Sequence, residues 1–421
     1  MKVIIAGAGI GGLSLALMLH QRGIDCDVYE SVPQLKPLGV GINLLPHASA
    51  EMAALGMLDT LEQHAIATSA LHYYNQFGQT IWMEPRGRLA GYPVPQLSIH
   101  RGTLQVCLAE AFQQRAGSHR LHLGMRLQSV QQKENGVEVL FFDQATGQTV
   151  TRQADCVVGA DGIHSALRQQ FYPANDPFRY SGRFLWRAVS YDKPYLDGKT
   201  MFMAGHQDKK FVAYPIVDEN CPEHFVAINW IAELSLPEWE ITSTDWNREV
   251  NRDVFEDEFS DWRWDWIDIP RLIQSAERIY EFPLIDKDPL PRWSFGSVTL
   301  LGDAAHPLYP IGSNGSAQAI LDARCLADYL QNCDSSLGGI QLALKEYEAD
   351  RLPATTGIIL RNRLNGPEQV MQIAHERAPQ GFSHIHDVMT PSELESVATR
   401  YKRVAGFDSQ TVKAVVTSKN T

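Results

Sequence analysis

Along this chain the spacing of apolar positions switches between patterns, and each switch marks a change of architecture. In "KVIIAGAG" Val3, Ile4 and Ile5 form a continuous apolar run, the mark of a strand covered on both faces as in a parallel sheet. "GLSLALMLHQRG" carries apolar residues at helical spacing and stops at Gly23, and "DCDVYE" is a second short strand, so the N-terminus predicts a βαβ unit. Residues 35–47, "LKPLGVGINLLPH", are punctuated by glycine and proline and predict a loop passing close to something flat or bulky.

Residues 72–96 and 179–284 alternate apolar with polar positions, as in "RFLWRAVSY", "FVAYPIV" and "FVAINWIAE", and predict an antiparallel sheet inserted twice into an α/β framework. The continuous pattern returns in "SVTLLGDAAH", followed by a helical pattern from about Ser316 to Leu330. The expected fold class is therefore α/β (α+β overall). A discontinuous Rossmann-like nucleotide-binding domain spans residues 1–71, 97–178 and 285–365, with a substrate domain at 72–96 and 179–284 and a C-terminal helical segment at 366–421.

Composition narrows what such a chain can do. With 421 residues it is too long for one ordinary core. A net charge of -12 and the lack of any basic run argue against nucleic acid or an anionic membrane surface as partner. The N-terminus imitates a signal peptide, but glycines interrupt it and no small-residue cleavage site follows. No window reaches the roughly 18 apolar residues of a membrane span. The 6 cysteines include no CxxC pair and read as reduced thiols, which predicts a cytoplasmic protein.

Three glycine-containing turns carry the candidate chemistry. In "GAGIGG", Gly7, Gly9 and Gly12 hold the G-x-G-x-x-G register between strand and helix, with Gly11 between them. The first glycine permits the tight turn, the second lets the backbone approach a pyrophosphate and the third lets helix and strand pack. Glu30 ends the second strand about 20 residues further on, where an acid accepts ribose hydroxyls, which points to FAD or NAD. "DCVVGADGIHSALR" is again strand, turn and helix, with Asp161 and Gly162 at the turn; alone, Asp161 is equally well read as a helix cap. In "VTLLGDAAHPLYPIGSNGSAQAILDA", Gly302 and Asp303 follow a strand, and a helix starts near Gly315 with its N-terminus open to an anion or polar ring edge. There Asp303 could accept hydrogen bonds from a polyol.

The three turns, in this order and spacing, resemble those of the single-component FAD-dependent aromatic hydroxylases of the p-hydroxybenzoate hydroxylase type, over roughly residues 1–365. "PLGVGIN", "SIHRG", "YLDGKTM", "DWNR" and "DPLPRW" resemble, more narrowly, the phenazine-hydroxylating members of that family, which replace a ring carboxylate by a hydroxyl. The resemblance implies FAD as cofactor, NADH or NADPH and O2 as co-substrates, and a small aromatic substrate, either phenazine-like or another ring such as a quinoline, a salicylate-type acid or an antibiotic. It implies that the ADP half lies on the first turn, that Asp161 and Gly162 serve the flavin and the visiting pyridine nucleotide, that Asp303 holds the ribitol, and that Arg101, Gly41, Pro310, Gly312 and Gly315 lie near the flavin. Flavin C4a would be the reactive centre, with no dedicated catalytic residue. The family commonly reads Pro-x-x-Gly-Gln-Gly where this chain has Pro310-Ile311-Gly312-Ser313-Asn314-Gly315, so Ser313 and Asn314 depart from it.

The expected substrate cavity lies between the flavin ring and the inserted sheet, lined by Val40, Ile42, Trp186, Tyr214, Trp230 and Pro310. Arg187 follows Trp186 on an alternating strand, so only one of the two faces the cavity; if Arg187 does, it can pair with a substrate carboxylate. His306 is expected near the flavin. His384 and His386 lack further ligands at useful spacing, and no metal is expected. A monomer or homodimer is expected. A NAD-dependent dehydrogenase would have no use for the Gly302-Asp303 turn, and a non-catalytic escort protein on the same fold would lack Gly41, Gly302, Gly312 and Gly315.

Overall fold

The computed structural model describes residues 1–406 apart from 38, 175 and 237–247, together with Val412. Part of the expected substrate domain and of the "DWNR" stretch, and the end of the expected C-terminal segment, lie outside the described residues.

Five parallel strands run in the order Val298–Leu300, Cys156–Gly159, Lys2–Ala6, Asp25–Tyr29 and Leu121–His122. Val3, Ile4, Ile5, Val157 and Val158 are fully buried, as a sheet covered on both faces requires. The helix Ile10–Gln21 is apolar on nearly every side because it lies between this sheet and the helices Arg101–Ala116 and Gly315–Asn332. It ends at Gly23, whose φ of +71° suits a residue without Cβ.

The second sheet has eight strands, in the order Arg248–Val250, Ile279–Lys287, Phe178–Asp192, Val226–Ser235, Lys209–Ile216, Met201–His206, Ala70–Tyr74 and Thr80–Pro85. All neighbours are antiparallel except Met201–His206 beside Ala70–Tyr74. Alternation sends Phe184, Trp186, Phe202, Phe211 and Trp230 to one face, where Phe255, Phe259 and Trp262 cover them. Trp186 stacks on Phe255 with ring centroids 4.8 Å apart and donates to Glu281. Trp230 donates to Ser190. The expectation that these two tryptophans line the substrate cavity is therefore corrected: a period of two residues places them on the sheet's outer, aromatic core.

Residues 41–44, expected as loop, form a strand, Gly41–Leu44, in a small sheet with Leu97–His100 and Ala65–Ala67. Glycine is required at its start, since a Cβ on Gly41 would lie 2.8 Å from Tyr214 and from Asn229. Met125–Lys133, Gly136–Asp143 and Gln148–Ala154 form a separate antiparallel meander. Beyond the 26-residue helix Leu337–Asn362, the tail forms helices Gln369–Arg377 and Pro391–Val404. Val370, Met371, Ala374, Met389 and Leu394 cover the sheet's inner face beside Leu71, Tyr73 and Met203.

Candidate active site

The carboxyl ends of three parallel strands open into a cleft of about 1460 Å³, its solvent-open mouth included. One wall is built by the turns that follow those strands, the place where open α/β sheets bind ligands. From there Gly9, Gly11, Gly162, Gly302, Asp303 and Gly315 reach the cleft, with Pro310 beside them. The opposite wall is the inner face of the eight-stranded sheet, which contributes Arg187, Ile231, Val212, Tyr214, Met201 and Met203. Gly41, Ile42 and Arg101 close one side. Most site residues expected from the sequence are thus brought together, and the exceptions have identifiable causes.

Gly7 and Gly12 lie behind the cleft as packing residues. A Cβ on Gly7, at φ +111°, would stand 2.2 Å from the Ala160 carbonyl oxygen, and one on Gly12 would stand 2.1 Å from that of Gly7. Nothing lies within 4 Å of the Cβ position at Gly9, Gly162 or Gly315, so these three present bare backbone to open space. Glu30 is not among the residues that line the cleft; one carboxylate oxygen accepts the Ala8 N–H at 2.8 Å and the other accepts from Ser31 and Val32. Val40 does not line the cleft: its side chain is buried and its carbonyl accepts the Arg101 N–H at 3.0 Å. Gly312 faces a smaller neighbouring chamber. His384 Nδ1 accepts the His386 N–H at 3.2 Å.

Ser165, not Asp161, caps the helix Ala166–Phe171, its hydroxyl accepting the Arg168 N–H at 3.0 Å; Asp161 accepts the Ala166 N–H at 2.7 Å on Oδ2, and its Oδ1 is buried without a partner. Burial raises its carboxyl above the ordinary aspartate value despite the opposing hydrogen bonds from Ser165 and Ala166. Asp303 stands open to the cleft yet has protein mass around it; that burial raises its carboxyl, with His306 and Arg101 opposing.

The Gly302-Asp303 turn rests on a buried polar network built from residues far apart in the sequence. Asp322, fully buried on the helix Gly315–Asn332, accepts the Gly302 N–H at 3.1 Å and His306 Nε2 at 2.5 Å on one oxygen, and Arg351 Nε at 2.7 Å on the other. Burial alone would raise the Asp322 carboxyl, but His306 and Arg351 overcome it and hold the group at about 2. His306 is therefore a support behind the turn rather than a cleft residue. Arg168, fully buried, donates to the Ala304 and Ala305 carbonyls and pairs with Asp176 at 2.7 Å. Neither Asp322 nor Arg168 stands out in the sequence, since the helix of Asp322 also carries Arg324 and Asp328, and Arg168 is followed by Gln169 and Gln170.

On the sheet wall Arg187 donates to the Gly41 carbonyl at 3.1 Å, and its Nε is buried without a partner. Among the described residues no carboxylate pairs with it. Burial lowers it from the usual arginine value, with Tyr214 opposing, yet a guanidinium stays charged at any physiological pH. Tyr214 interacts with Arg187, and burial pushes its hydroxyl up to about 12. Deeper in, Lys210 pairs with Glu233 at 2.8 Å and Glu368 at 2.5 Å, and Arg183 pairs with Glu233 at 2.8 Å.

Residues 1–361 match the family model described as FAD binding domain. The chain belongs to that family. It is 40% identical over 365 residues to phenazine 1,6-dicarboxylic acid hydroxylase of Lysobacter antibioticus, covering 86% of this chain and 89% of that one. It is 32% identical to 3-amino-4-hydroxybenzoate 2-monooxygenase of Streptomyces platensis, covering 87% and 88%. Among solved structures, HpxO of Klebsiella pneumoniae complexed with FAD and uric acid superposes with a TM-score of 0.73 at 25% identity, covering 98% of this chain and 97% of that one. The protein is an FAD-dependent aromatic monooxygenase.

The residues in the cleft fit that cofactor. The helix Ile10–Gln21 points its N-terminus, with Gly9 as its cap residue, at the open space over Gly9 where a pyrophosphate gains from the unpaired N–H groups. Asp303 offers a carboxylate at the middle of the cleft, and Gly315 starts a second helix that faces it with no side chain in the way. Among the described residues no helix is long and apolar enough to cross a membrane, and no group of three or more His, Cys, Asp or Glu could hold a metal.

Proposed function

We propose that this monooxygenase hydroxylates a carboxylated fused aromatic of the phenazine kind, consuming NADH or NADPH and O2. The observation that carries the reading is Arg187, a cation on the cleft wall with a buried, unbonded Nε and no carboxylate partner among the described residues. An unpaired buried cation is costly, and a substrate carboxylate would meet its fork and satisfy it. The relative from Lysobacter, named for a phenazine acid, supports the ring; the aminohydroxybenzoate relative supports the acid with a single ring.

In this reading Gly9, Gly11 and Glu30 hold the ADP half of FAD, Asp303 the ribitol, and Gly162, Arg101, Gly41, Pro310 and Gly315 the surroundings of the ring, with Asp161 fixing the turn that carries Gly162. Bound and reduced, FAD supplies oxygen activation and delivery of one oxygen atom to the aromatic ring. The chain's own residues orient the ring and keep water out: Ile231, Val212, Met201 and Met203 give the cleft an apolar wall, and Arg187 with Tyr214 fixes the acid end. A reducing, cytoplasmic setting completes the reading, supported by the free cysteines of the described chain.

The test is the flavin spectrum of the purified protein, followed by NADH and NADPH consumption with phenazine-1-carboxylate, 5-methylphenazine-1-carboxylate and 3-amino-4-hydroxybenzoate, with product mass and released CO2 measured. Coupled hydroxylation of a phenazine acid is expected. Arg187→Met should raise KM for that acid roughly tenfold to a hundredfold, the loss of a hydrogen bond to a charged group. Coupled turnover of the benzoate alone would replace the phenazine reading, and an unchanged KM would remove Arg187 from it.

A further inference from the structure

On the sheet wall of the cleft, apolar and charged positions fall into separate rows. Arg187 lies opposite Ile231, Ile231 opposite Val212, and Val212 opposite Met203, a row that is apolar beyond its arginine. Two residues along the strands, Glu233 lies opposite Leu185 on one side and Lys210 on the other, which makes the neighbouring row charged. With strands about 4.8 Å apart and a rise of about 3.3 Å per residue, the backbones of Glu233 and Lys210 lie roughly 8 Å and 12 Å from that of Arg187. A ring laid over Ile231 and Val212 with its acid on Arg187 therefore turns another edge toward the charged row.

That row is already balanced. Lys210 Nζ lies 2.5 Å from Glu368 Oε2 and 2.8 Å from Glu233 Oε2, and Arg183 pairs with Glu233 Oε1 at 2.8 Å, so two cations answer two carboxylates. Lys210, Glu233 and Glu368 are all buried and all line the cleft. Both oxygens of Glu233 are engaged, whereas Glu368 Oε1 has no partner among the described residues. Of the other charged residues that line the cleft, Arg101 and Asp303 attract each other, which leaves Arg187 as the one unanswered cation among them. Glu368 also differs in origin. The family match ends at residue 361, and among the described residues lining the cleft Glu368 is the one from beyond it. It precedes the helix Gln369–Arg377, whose Val370, Met371 and Ala374 are packed against the sheet's inner face, so its backbone is anchored.

Building on the proposed phenazine-acid reading, we infer that Glu368 is a specificity-determining residue, supplied by the tail, that limits the substrate to a single acid group. One carboxylate meets Arg187. A second, on the ring edge that faces Glu368, would meet a carboxylate oxygen with no further cation to answer it, and like charges brought together out of water oppose binding. The edge facing Glu368 is therefore neutral, and a ring group with a hydrogen to donate is accepted there. This sets the chain apart from the Lysobacter relative, which is named for a diacid.

The holoenzyme tests this by equilibrium titration, following perturbation of the flavin absorbance, with phenazine-1-carboxylate, phenazine-1,6-dicarboxylate and 6-carbamoylphenazine-1-carboxylate. The last has the shape of the diacid but one acid made neutral and able to donate. Wild type is expected to bind the monoacid and the acid amide each at least about tenfold more tightly than the diacid. Glu368→Gln, checked for flavin content and melting temperature, replaces the charge by an amide that can donate, and should bring the amide-to-diacid preference below about threefold by tightening the diacid. A purely structural role would weaken all three ligands together and leave their ratios unchanged. Equal binding of diacid and acid amide in wild type would overturn the inference while leaving the phenazine reading intact, and that comparison stands even if the variant loses its flavin. So would a preference that Glu368→Gln does not alter. Failure of all three to bind a fully yellow wild type would overturn the phenazine reading itself, and the inference with it.

Discussion

Ser313 shows how much a single position can carry. It has a φ of +56° at the place where the resembling hydroxylases commonly have glycine, and it lines both the main cleft and the second chamber. A left-handed conformation costs a residue with a Cβ roughly 1 to 2 kcal/mol. Glycine would remove that strain but add about 0.5 to 1 kcal/mol of chain entropy to be lost on folding. Ser313→Gly is therefore expected to change stability by between zero and about +1 kcal/mol, read as an unchanged or slightly raised melting temperature. A loss larger than about 1 kcal/mol would mean that the serine side chain makes a compensating contact. The three glycine turns were legible in the sequence because a missing side chain is a one-letter statement about backbone, and Gly9 and Gly12 behave as that statement requires. Which way Trp186 and Arg187 point was legible only as an either-or, since alternation fixes that two neighbours face opposite ways but not which faces the cleft.

Among the elements, the helix Gly315–Asn332 does two jobs: its first turn faces the cleft, and two turns later Asp322 holds the Gly302 N–H, His306 and Arg351 behind it. The apolar spacing that predicted this helix could not reveal the second job, because Asp322 looks like any polar residue until Arg351, 29 positions away, is folded against it. Asp322→Ala strands Arg351 and His306 in the interior and frees the Gly302 N–H, so it should cost about 3 to 5 kcal/mol and release FAD, measured by chemical denaturation and by flavin retention. The same group sets an acid limit. Its carboxyl titrates at about 2 in the folded protein and near 3.9 in the unfolded chain, so its contribution is fully present above about pH 4. As pH falls from about 4 to 2, on the order of 2 kcal/mol is lost, and Asp322→Asn should flatten that part of the acid unfolding curve.

Across the whole molecule, the C-terminal tail ties the catalytic halves together. Its helical character is legible in the sequence but its docking is not, because two of the ion pairs that seat it join residues more than 150 positions apart: Glu368 with Lys210, and Lys402 with Glu84. The buried cluster is asymmetric. Glu233 is held by Arg183 as well as by Lys210, whereas among the described residues the Glu368 carboxylate has Lys210 as its one ion-pair partner. Burial would lower the Lys210 ammonium, and the two carboxylates reverse that, so the lysine depends on them as they depend on it. Lys210→Met should then cost about 3 to 5 kcal/mol, nearly all of it from leaving Glu368 buried and unpaired. Adding Glu368→Gln to that variant removes the stranded charge and should recover a large part of the loss, while adding Glu233→Gln should recover less, since Arg183 already answers Glu233. Urea unfolding of the three variants measures this. If both double variants recover equally, the tail is held by its apolar contacts through Val370, Met371 and Leu394 rather than by its charge, and the ion cluster belongs to the cleft floor alone.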